Sequence, residues 1–277
     1  MWKIDKPNLI RAKGKDLNEL VAHCDKLDDT DKQLLKQLYQ QYDDQKGSVT
    51  NAQHDVISTD KAEAIHKMYK STYENRSMAY IRDELMAKVY KCPYCSISQP
   101  NTLDHYMPES IYPALAVCRM NLVPMCGVCN GYKSAKQYDK FVHCYYDNFP
   151  SARPFLVAKV YTIRQRFVVK FKLDSVAIAN PSLESRLMYQ AKEIHLFERI
   201  EREAVVYINT LCQDCEQNDT ASLKLWLGRR LAERENEYGK NDWRCAIIRG
   251  MLMYPGLDIT QIKHNKLNPR RINAGGA

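Results

Sequence analysis

The chain has 277 residues, of which 45% are hydrophobic and 27% are charged. These proportions exclude a disordered, fibrous or collagen-like chain, and the length allows about two domains, each with a hydrophobic core. Lysine and arginine number 41 against 33 acidic residues, which gives a formal net charge of +8. An excess of this size fits a polyanionic partner such as nucleic acid, and it fits a solvated basic surface equally well.

The N-terminal residues 1–7 are charged and contain no apolar core, so we expect no secretory signal. No apolar run approaches the ~20 residues that a membrane helix requires, so we expect no membrane association. Both observations favour a cytoplasmic location. In a reducing cytosol, clustered cysteines indicate a metal site sooner than disulfides.

The first of three predicted regions is helical and covers residues 1–88. Apolar residues recur there at helical spacing, which predicts a first group of helices beginning near Asp16. A second helix is predicted from about Asp60 to Lys91. The residues with this spacing are Leu17, Leu20, Val21, Leu34, Leu35 and Leu38, followed by Ile65, Met68, Tyr69, Ile81, Leu85 and Val89.

The second predicted region, residues 89–150, is rich in Cys, Pro, Asn and Gly and carries the candidate site. The third covers residues 151–277, where alternating apolar residues over 155–173 predict a β-hairpin that turns near Arg164 and Gln165. One long amphipathic helix is predicted from Pro181 to about Ile208, and two more follow near 219–238 and 241–253. The predicted class is therefore α+β and mostly helical.

Two C-x2-C pairs bracket the middle of the second region. Cys92 and Cys95 form the first pair, Cys126 and Cys129 form the second, and 30 residues separate them. Each pair can place two thiolates on one tight turn, and four sulfurs complete a closed tetrahedral zinc site. The spacing therefore predicts structural zinc, and the alternative is four unrelated buried thiols. A third pair, Cys212 and Cys215, falls in a predicted helix and has no second pair to complete a tetrahedron.

Between and just after these cysteines stand three polar positions in a fixed order. Asp104 and His105 come first, Asn121 follows, and Asn130 comes directly after the last cysteine. This order, set between two zinc knuckles, resembles the HNH nuclease family. The resemblance implies a ββα-metal core over about residues 88–140, in which a two-stranded ribbon and a helix surround one catalytic metal.

The resemblance also implies a role for each residue. His105 matches the general base, Asn121 matches the residue that orients this base or its loop, and Asp104 and Asn130 match the ligands of a catalytic Mg2+ or Mn2+. A carboxylate and an amide carbonyl are suitable ligands for a hard cation. On a regular strand Asp104 and His105 face opposite sides, so both reach one cleft only if the strand is distorted or ends there.

Taken singly, these residues have plainer readings. Asp104 and His105 alone fit a surface or capping pair, and Asn130 alone fits a helix N-cap. The sequence departs from the family at Asn130, where histidine is frequent, and at Ser96, where a glycine often follows the first knuckle.

Basic residues follow the motif closely. Residues 131–174 contain nine lysines and arginines against three aspartates, which suits a phosphate backbone. Lys133, Lys136 and Lys140 are the candidate nucleic-acid contacts, and the alternative for Lys133 is a solvated helix face. Four basic residues of the hairpin form either a nucleic-acid surface or an ordinary solvated face, and these are Lys159, Arg166, Lys170 and Lys172.

The opening residues 1–7 and the helices before the first knuckle are similar to HNH effector subunits of bacterial defence systems, particularly the Septu type. That resemblance implies an ATPase partner. The favoured function is thus a metal-dependent HNH endonuclease that cuts DNA in anti-phage defence. The alternatives are an enzyme of the same chemistry that cuts RNA such as tRNA, and a non-catalytic zinc module that binds nucleic acid or a partner.

Overall fold

The structure is a computed structural model, and it describes residues 3–215 and 218–265. These residues divide into two compact units, residues 3–149 and 150–265. The predicted boundary near residue 150 coincides with this division. The predicted helical region 1–88 and the predicted core 89–150, in contrast, lie within the same first unit. Met1 and Trp2 of the opening motif lie outside the described residues.

The first unit combines short helices with one small sheet. Its α-helices and strands, in chain order, are α1 (Leu9–Arg11), α2 (Leu17–Ala22), α3 (Asp29–Asp44), α4 (Asn51–His54), α5 (Thr59–Met68), α6 (Ala79–Met86), β1 (Thr102–His105), β2 (Leu122–Met125) and α7 (Gly127–Lys133). A π-helical stretch covers Ala12–Asp16, and 3-10 turns cover Tyr69–Thr72, Pro113–Leu115 and Tyr138–Lys140.

The second unit is a hairpin with helices. Its elements are β3 (Leu156–Ile163), β4 (Arg166–Leu173), α8 (Ser175–Ile178), α9 (Pro181–Glu193), α10 (Leu196–Cys215), α11 (Thr220–Tyr238), α12 (Trp243–Leu252) and α13 (Ile259–His264). The predicted α+β class is confirmed. Across residues 3–215 and 218–265, no helix combines the length and the apolarity that a bilayer crossing requires.

Helix α3 illustrates how the sequence fixes an element of the first unit. Asp28 caps its N-terminus by accepting from the amides of Thr30 and Asp31, and the Asp31 carboxylate accepts in return from the Asp28 amide. This reciprocal arrangement satisfies amides that the first turn leaves without helical partners. The helix buries Leu38 and Tyr42 on one face, and its register directs the Tyr42 side chain to the candidate site.

The single helix predicted from Asp60 to Lys91 is wrong. Helix α5 ends at Met68, a 3-10 turn follows, and the chain becomes helical again only at Ala79. Residues 73–77 supply no buried apolar side chain to continue the helical stripe, and Asn75 takes the left-handed conformation with φ of 62°. Asparagine tolerates that conformation better than most residues, so the break is encoded locally.

Strands β1 and β2 pair antiparallel, and α7 begins two residues after β2 ends. The register is regular, with Asp104 opposite Val123 and His105 opposite Leu122. Every residue of β2 is buried, and in this two-stranded sheet each strand pairs through one edge only. This strand–strand–helix segment positions the candidate site.

The hairpin of the second unit is confirmed. Arg164 and Gln165 form its turn with φ of 48° and 62°, the left-handed conformation of a two-residue hairpin turn. Lys159 lies directly opposite Lys170 on the exposed face of the ribbon. The long helix predicted from Pro181 onward is wrong, because it divides into α9 and α10 at His195, where φ is 49°.

Helix α12 contacts β3 closely at Gly250. A Cβ atom at this position would lie 2.5 Å from the carbonyl oxygen of Ala158 and 2.8 Å from Cγ2 of Val160. We therefore expect Gly250→Ala to lower the free energy of unfolding by about 1–3 kcal/mol, the usual cost of overpacking. Gly228→Ala is the matched control, because nothing lies within 4 Å of an added Cβ there. It should be neutral or stabilising by up to about 1 kcal/mol, since alanine favours a helix. Equal urea-unfolding midpoints for the two variants would contradict the close contact.

Candidate functional site

The four cysteines of the two C-x2-C pairs meet in one buried cluster. Their sulfur atoms all lie within 4.8 Å of one another, and the Sγ atoms of Cys95 and Cys126 are 3.8 Å apart. Zinc–sulfur bonds of ~2.3 Å in a tetrahedron separate the sulfurs by ~3.8 Å. The cluster therefore fits a divalent metal ion such as zinc, as the sequence spacing predicted.

Local backbone geometry presents these sulfurs. The first knuckle turns through Ser96, whose amide donates to the carbonyl oxygen of Cys92 at 2.9 Å. Ser96 has φ of 58°, so the knuckle takes the left-handed conformation although the sequence supplies serine where glycine is frequent. In the second knuckle, the sulfur of Cys126 accepts from the amide of Cys129 at 3.5 Å and caps α7.

The thiols also need a cation for electrostatic reasons. The pKa of Cys126 is lowered to about 6, and hydrogen bonding with Cys129 is the largest cause. The pKa of Cys92 is raised, and burial is the largest cause. Burial therefore disfavours the thiolate form of Cys92 unless a positive charge lies nearby. A metal ion at the centre stabilises all four as thiolates, the form in which cysteine binds zinc.

A pocket of about 680 Å³ lies along the unpaired edge of β1. Asp104, His105 and Asn130 all line it, and so do Glu109 and Ser134. The expected convergence of these three motif residues on one cleft is therefore present in the structure. Asp104 and His105 reach the same pocket without a bulge, because His105 is the last residue of the strand and the pocket extends around the strand end.

The imidazole of His105 is held on both sides. Its Nε2 lies 2.8 Å from the carbonyl oxygen of Ala116, which can only accept a hydrogen bond, so Nε2 carries the proton. Nδ1 lies 3.4 Å from Oε2 of Glu109, and the ring of Tyr69 packs against the imidazole with a centroid distance of 4.5 Å. Burial lowers the pKa of His105, and the carboxylate of Glu109 opposes that shift. A neutral imidazole with its lone pair on Nδ1 is able to accept a proton from a bound water.

Asn121 holds the loop between the two strands. Its Oδ1 accepts from the amide of Met107 at 2.8 Å and from the hydroxyl of Tyr42 at 3.0 Å, and its Nδ2 donates to the carbonyl oxygen of Met107 at 3.0 Å. Asn121 therefore does not contact the imidazole. It fixes the loop whose Ala116 carbonyl orients His105.

Lys133 is not a surface residue, and its predicted contact with nucleic acid is wrong. The side chain is completely buried, and Nζ lies 2.9 Å from Oδ2 of Asp104. The same ammonium donates a hydrogen bond to the carbonyl oxygen of His105 at 2.9 Å. Its contact with Asp104 is an ion pair. Lys133 ends α7 on the side that faces β1. Lys136 and Lys140, the other two candidate contacts, are exposed.

Asp104 and Asn130 retain oxygens for a further ligand. Burial raises the pKa of Asp104, and the ammonium of Lys133 opposes the shift. The Nδ2 of Asn130 donates to Oγ1 of Thr102 at 3.2 Å, which turns its Oδ1 away from Thr102. Within the described residues, no hydrogen bond engages Oδ1 of Asp104 or Oδ1 of Asn130. One carboxylate and one amide oxygen fit a Mg2+-like cation that keeps most of its waters.

Four other residues at this pocket were not predicted. Tyr69, Tyr73 and Glu74 line it from the segment between α5 and α6, and Arg82 lines it from α6. The Tyr69 hydroxyl donates to the carbonyl oxygen of Leu103 at 3.0 Å, on the unpaired edge of β1. The missed signal was the polar run of residues 73–77, which interrupts the apolar spacing and indicates a break in the helix.

The buried ion pair gives a stability prediction. Lys133→Met leaves the carboxylate of Asp104 buried without its cation, and we expect a loss of about 3–5 kcal/mol in the free energy of unfolding of the zinc-loaded protein. The double variant Asp104→Asn/Lys133→Met should recover much of that loss, because it removes both charges. Lys136→Met, at an exposed position of the same segment, should change stability by less than about 0.5 kcal/mol. Urea unfolding measures all three, and similar values for Lys133→Met and Lys136→Met would contradict the burial of the ion pair.

Comparison with family models, with curated proteins and with solved structures finds no match to this chain. Two features of the first unit bear on its function, the cluster of four buried cysteines and the pocket along β1.

Proposed function

We propose that this protein is a metal-dependent HNH endonuclease that hydrolyses phosphodiester bonds in DNA. The observation that carries the proposal is the convergence of Asp104, His105 and Asn130 on one pocket, with Nε2 of His105 fixed by a backbone carbonyl. Hydrolysis of a phosphodiester needs a base for the attacking water and a cation for the charge that develops on the leaving oxygen. The pocket offers groups suited to both needs.

In this proposal His105 is the general base, and Nδ1 takes the proton from the attacking water. Oε2 of Glu109 lies 3.4 Å from this nitrogen and 3.3 Å from Nε2 of His66, so a carboxylate stands beside the proposed base. Asp104 and Asn130 hold a Mg2+ or Mn2+ ion, which stabilises the charge on the leaving oxygen. Asn121 keeps the loop and therefore the base in position.

A cation in this pocket has few protein ligands. Among the described residues, the four cysteines are the one group in which three or more Cys, His, Asp or Glu ligand atoms lie within 4.8 Å of one another. Asp104 and Asn130 would be the two protein ligands of the proposed ion, and water and the substrate phosphate would supply the others. Mg2+ is commonly bound in this way, through one or two carboxylates and substrate phosphates.

A non-catalytic zinc module that binds nucleic acid is the second candidate. The ion pair between Asp104 and Lys133 favours it, because an internal ammonium already neutralises the carboxylate on which a catalytic cation would depend. The two candidates predict opposite results when magnesium is added, since only the nuclease requires it.

The deciding experiment is a cleavage assay on supercoiled plasmid and on tRNA with Mg2+, Mn2+ or EDTA. The wild type is compared with His105→Ala. We expect the plasmid to be cut with Mg2+ or Mn2+, and the cutting to stop with EDTA or with the substitution. Cleavage of tRNA alone would replace DNA by RNA as the substrate. No cleavage of either, or cleavage that survives both chelation and the substitution, would overturn the proposed mechanism.

The proposed setting is anti-phage defence with an ATPase partner. This part of the proposal rests on the resemblance of residues 1–7 and the following helices to Septu-type effectors. Co-purification of the full chain with a neighbouring ATPase from the native host would support it, and a solitary protein would count against it.

A further inference from the structure

Arg82 and Tyr73 lie together at the pocket that contains His105. Neither belongs to the strand–strand–helix segment, since they come from the broken helical segment before the first knuckle. We propose that this pair is a subsite for one unpaired nucleotide, in which Arg82 binds a phosphate and Tyr73 stacks on the base. The inference rests on the proposed nuclease function, and it narrows the substrate to nucleic acid that is single-stranded or unpaired beside the cut.

Arg82 is positioned to receive an anion. Its Nε donates to the carbonyl oxygen of Thr72 at 3.3 Å, and its Nη2 donates to the hydroxyl of Tyr69 at 3.4 Å. Both bonds fix the plane of the guanidinium. Within the described residues, no carboxylate lies within ion-pair distance of Arg82, and no hydrogen bond engages Nη1. A half-buried guanidinium that is held in place but not neutralised suits a phosphate oxygen.

Tyr73 offers an aromatic face. Its side chain is 46% exposed, although it is a large apolar ring. The guanidinium of Arg82 lies 5.2 Å from the ring centroid, and Tyr69 meets the ring edge-on with a centroid distance of 5.6 Å. Despite these two neighbours, nearly half of the side chain remains exposed and available for stacking. Exposed tyrosines beside basic groups are the usual stacking platforms for unpaired bases.

The geometry favours an unpaired nucleotide over a duplex. In a duplex, both faces of each base are already covered by neighbouring bases, so a tyrosine can stack only on a base that has left the stack. The pocket volume of about 680 Å³ lies in the range of sites for single small molecules. A pocket of this size suits one nucleotide of the nucleic acid, with its base out of the stack and its phosphate towards Arg82.

The test measures binding, so it does not depend on cleavage. The full-length, zinc-loaded protein is titrated without added magnesium into fluorescent single-stranded DNA of about 12 nucleotides, the length of a typical single-strand site. The same sequence as duplex DNA and as single-stranded RNA provides the comparison. Fluorescence anisotropy gives the dissociation constants, and thermal melting checks that every variant is folded.

We expect Tyr73→Ala to weaken single-strand binding by about 5- to 100-fold, as the loss of one base–aromatic stack does elsewhere. Tyr73→Phe should bind like the wild type, because the ring remains. Arg82→Ala should lower the slope of log K against log salt by about 0.7, the value for one phosphate contact on a single strand. Arg76→Ala is the matched control, since Arg76 is exposed on the same segment but does not line the pocket.

Two results would overturn the subsite. One is equal loss of affinity for duplex and single strand in Tyr73→Ala, and the other is an unchanged salt slope in Arg82→Ala. Single-stranded DNA and RNA share the proposed chemistry, and their relative affinities show which one the pocket prefers. A protein that binds as expected but never cleaves would contradict the nuclease proposal while retaining the subsite. A protein that cleaves, with Tyr73 and Arg82 irrelevant, would contradict the subsite alone.

Discussion

Replacing the first knuckle, Cys92→Ser/Cys95→Ser, is expected to remove the bound zinc and to unfold the first unit. The four cysteines are buried and their sulfurs lie within 4.8 Å of one another, so two serines leave an incomplete ligand set for the metal. Structural zinc contributes about 10–16 kcal/mol of apparent binding free energy at neutral pH, more than the net stability of most domains. Zinc content by atomic absorption and the melting transition by circular dichroism measure the effect.

The chain contains its own control for this experiment. Cys212 and Cys215 form a third C-x2-C pair, but both lie on helix α10 and belong to the second unit. Cys212→Ser/Cys215→Ser removes the same number of thiols from buried positions, and it should keep the wild-type zinc content. Equal zinc content in the two double variants would show that the cluster of four cysteines is not the metal site.

Short-range patterns allowed much of the site to be predicted. The cysteine spacing predicted the cluster, and the order of Asp104, His105 and Asn130 predicted which side chains share a pocket. Both succeed because the residues lie within 40 positions of one another on a small strand–strand–helix segment whose turns are encoded locally.

Lys133 shows where such patterns fail. A lysine at the end of a helix is normally solvated, and its burial here depends on Asp104 lying opposite it on β1. No local pattern in α7 predicts that contact. The contribution of Tyr69 and Arg82 is similar, because it depends on how the helices of the first unit pack against β1 and not on any spacing within the motif.

The helices before the first knuckle also stabilise the loop that contains Ala116, whose carbonyl oxygen orients the imidazole of His105. Arg119, two residues before Asn121, forms a buried ion pair with Asp16 and a second ion pair with Glu84 at 2.9 Å. Asp16 and Glu84 belong to the helical region that the sequence treated as separate from the core. These ion pairs join the helices to the strand–strand–helix segment, which agrees with the undivided first unit of the fold.

The second large effect is expected at His105. If Nδ1 takes the proton from water, His105→Ala should lower the rate of Mg2+-dependent cleavage by about 10²–10⁴-fold, the range for a general base. His105→Gln should lose as much, because an amide can still donate to the Ala116 carbonyl but cannot accept that proton. His23→Ala is the control, since His23 is an exposed histidine of the same unit outside the pocket, and it should cleave at the wild-type rate.

Loss of activity alone does not separate chemistry from damage to the loop. The alanine variant leaves space at the imidazole position, so added imidazole should restore part of its cleavage. The glutamine variant fills that space and should not respond. Rescue of the alanine variant alone, with zinc content and melting temperature unchanged, identifies His105 as the base. Wild-type rates in both variants would remove His105 from the reaction.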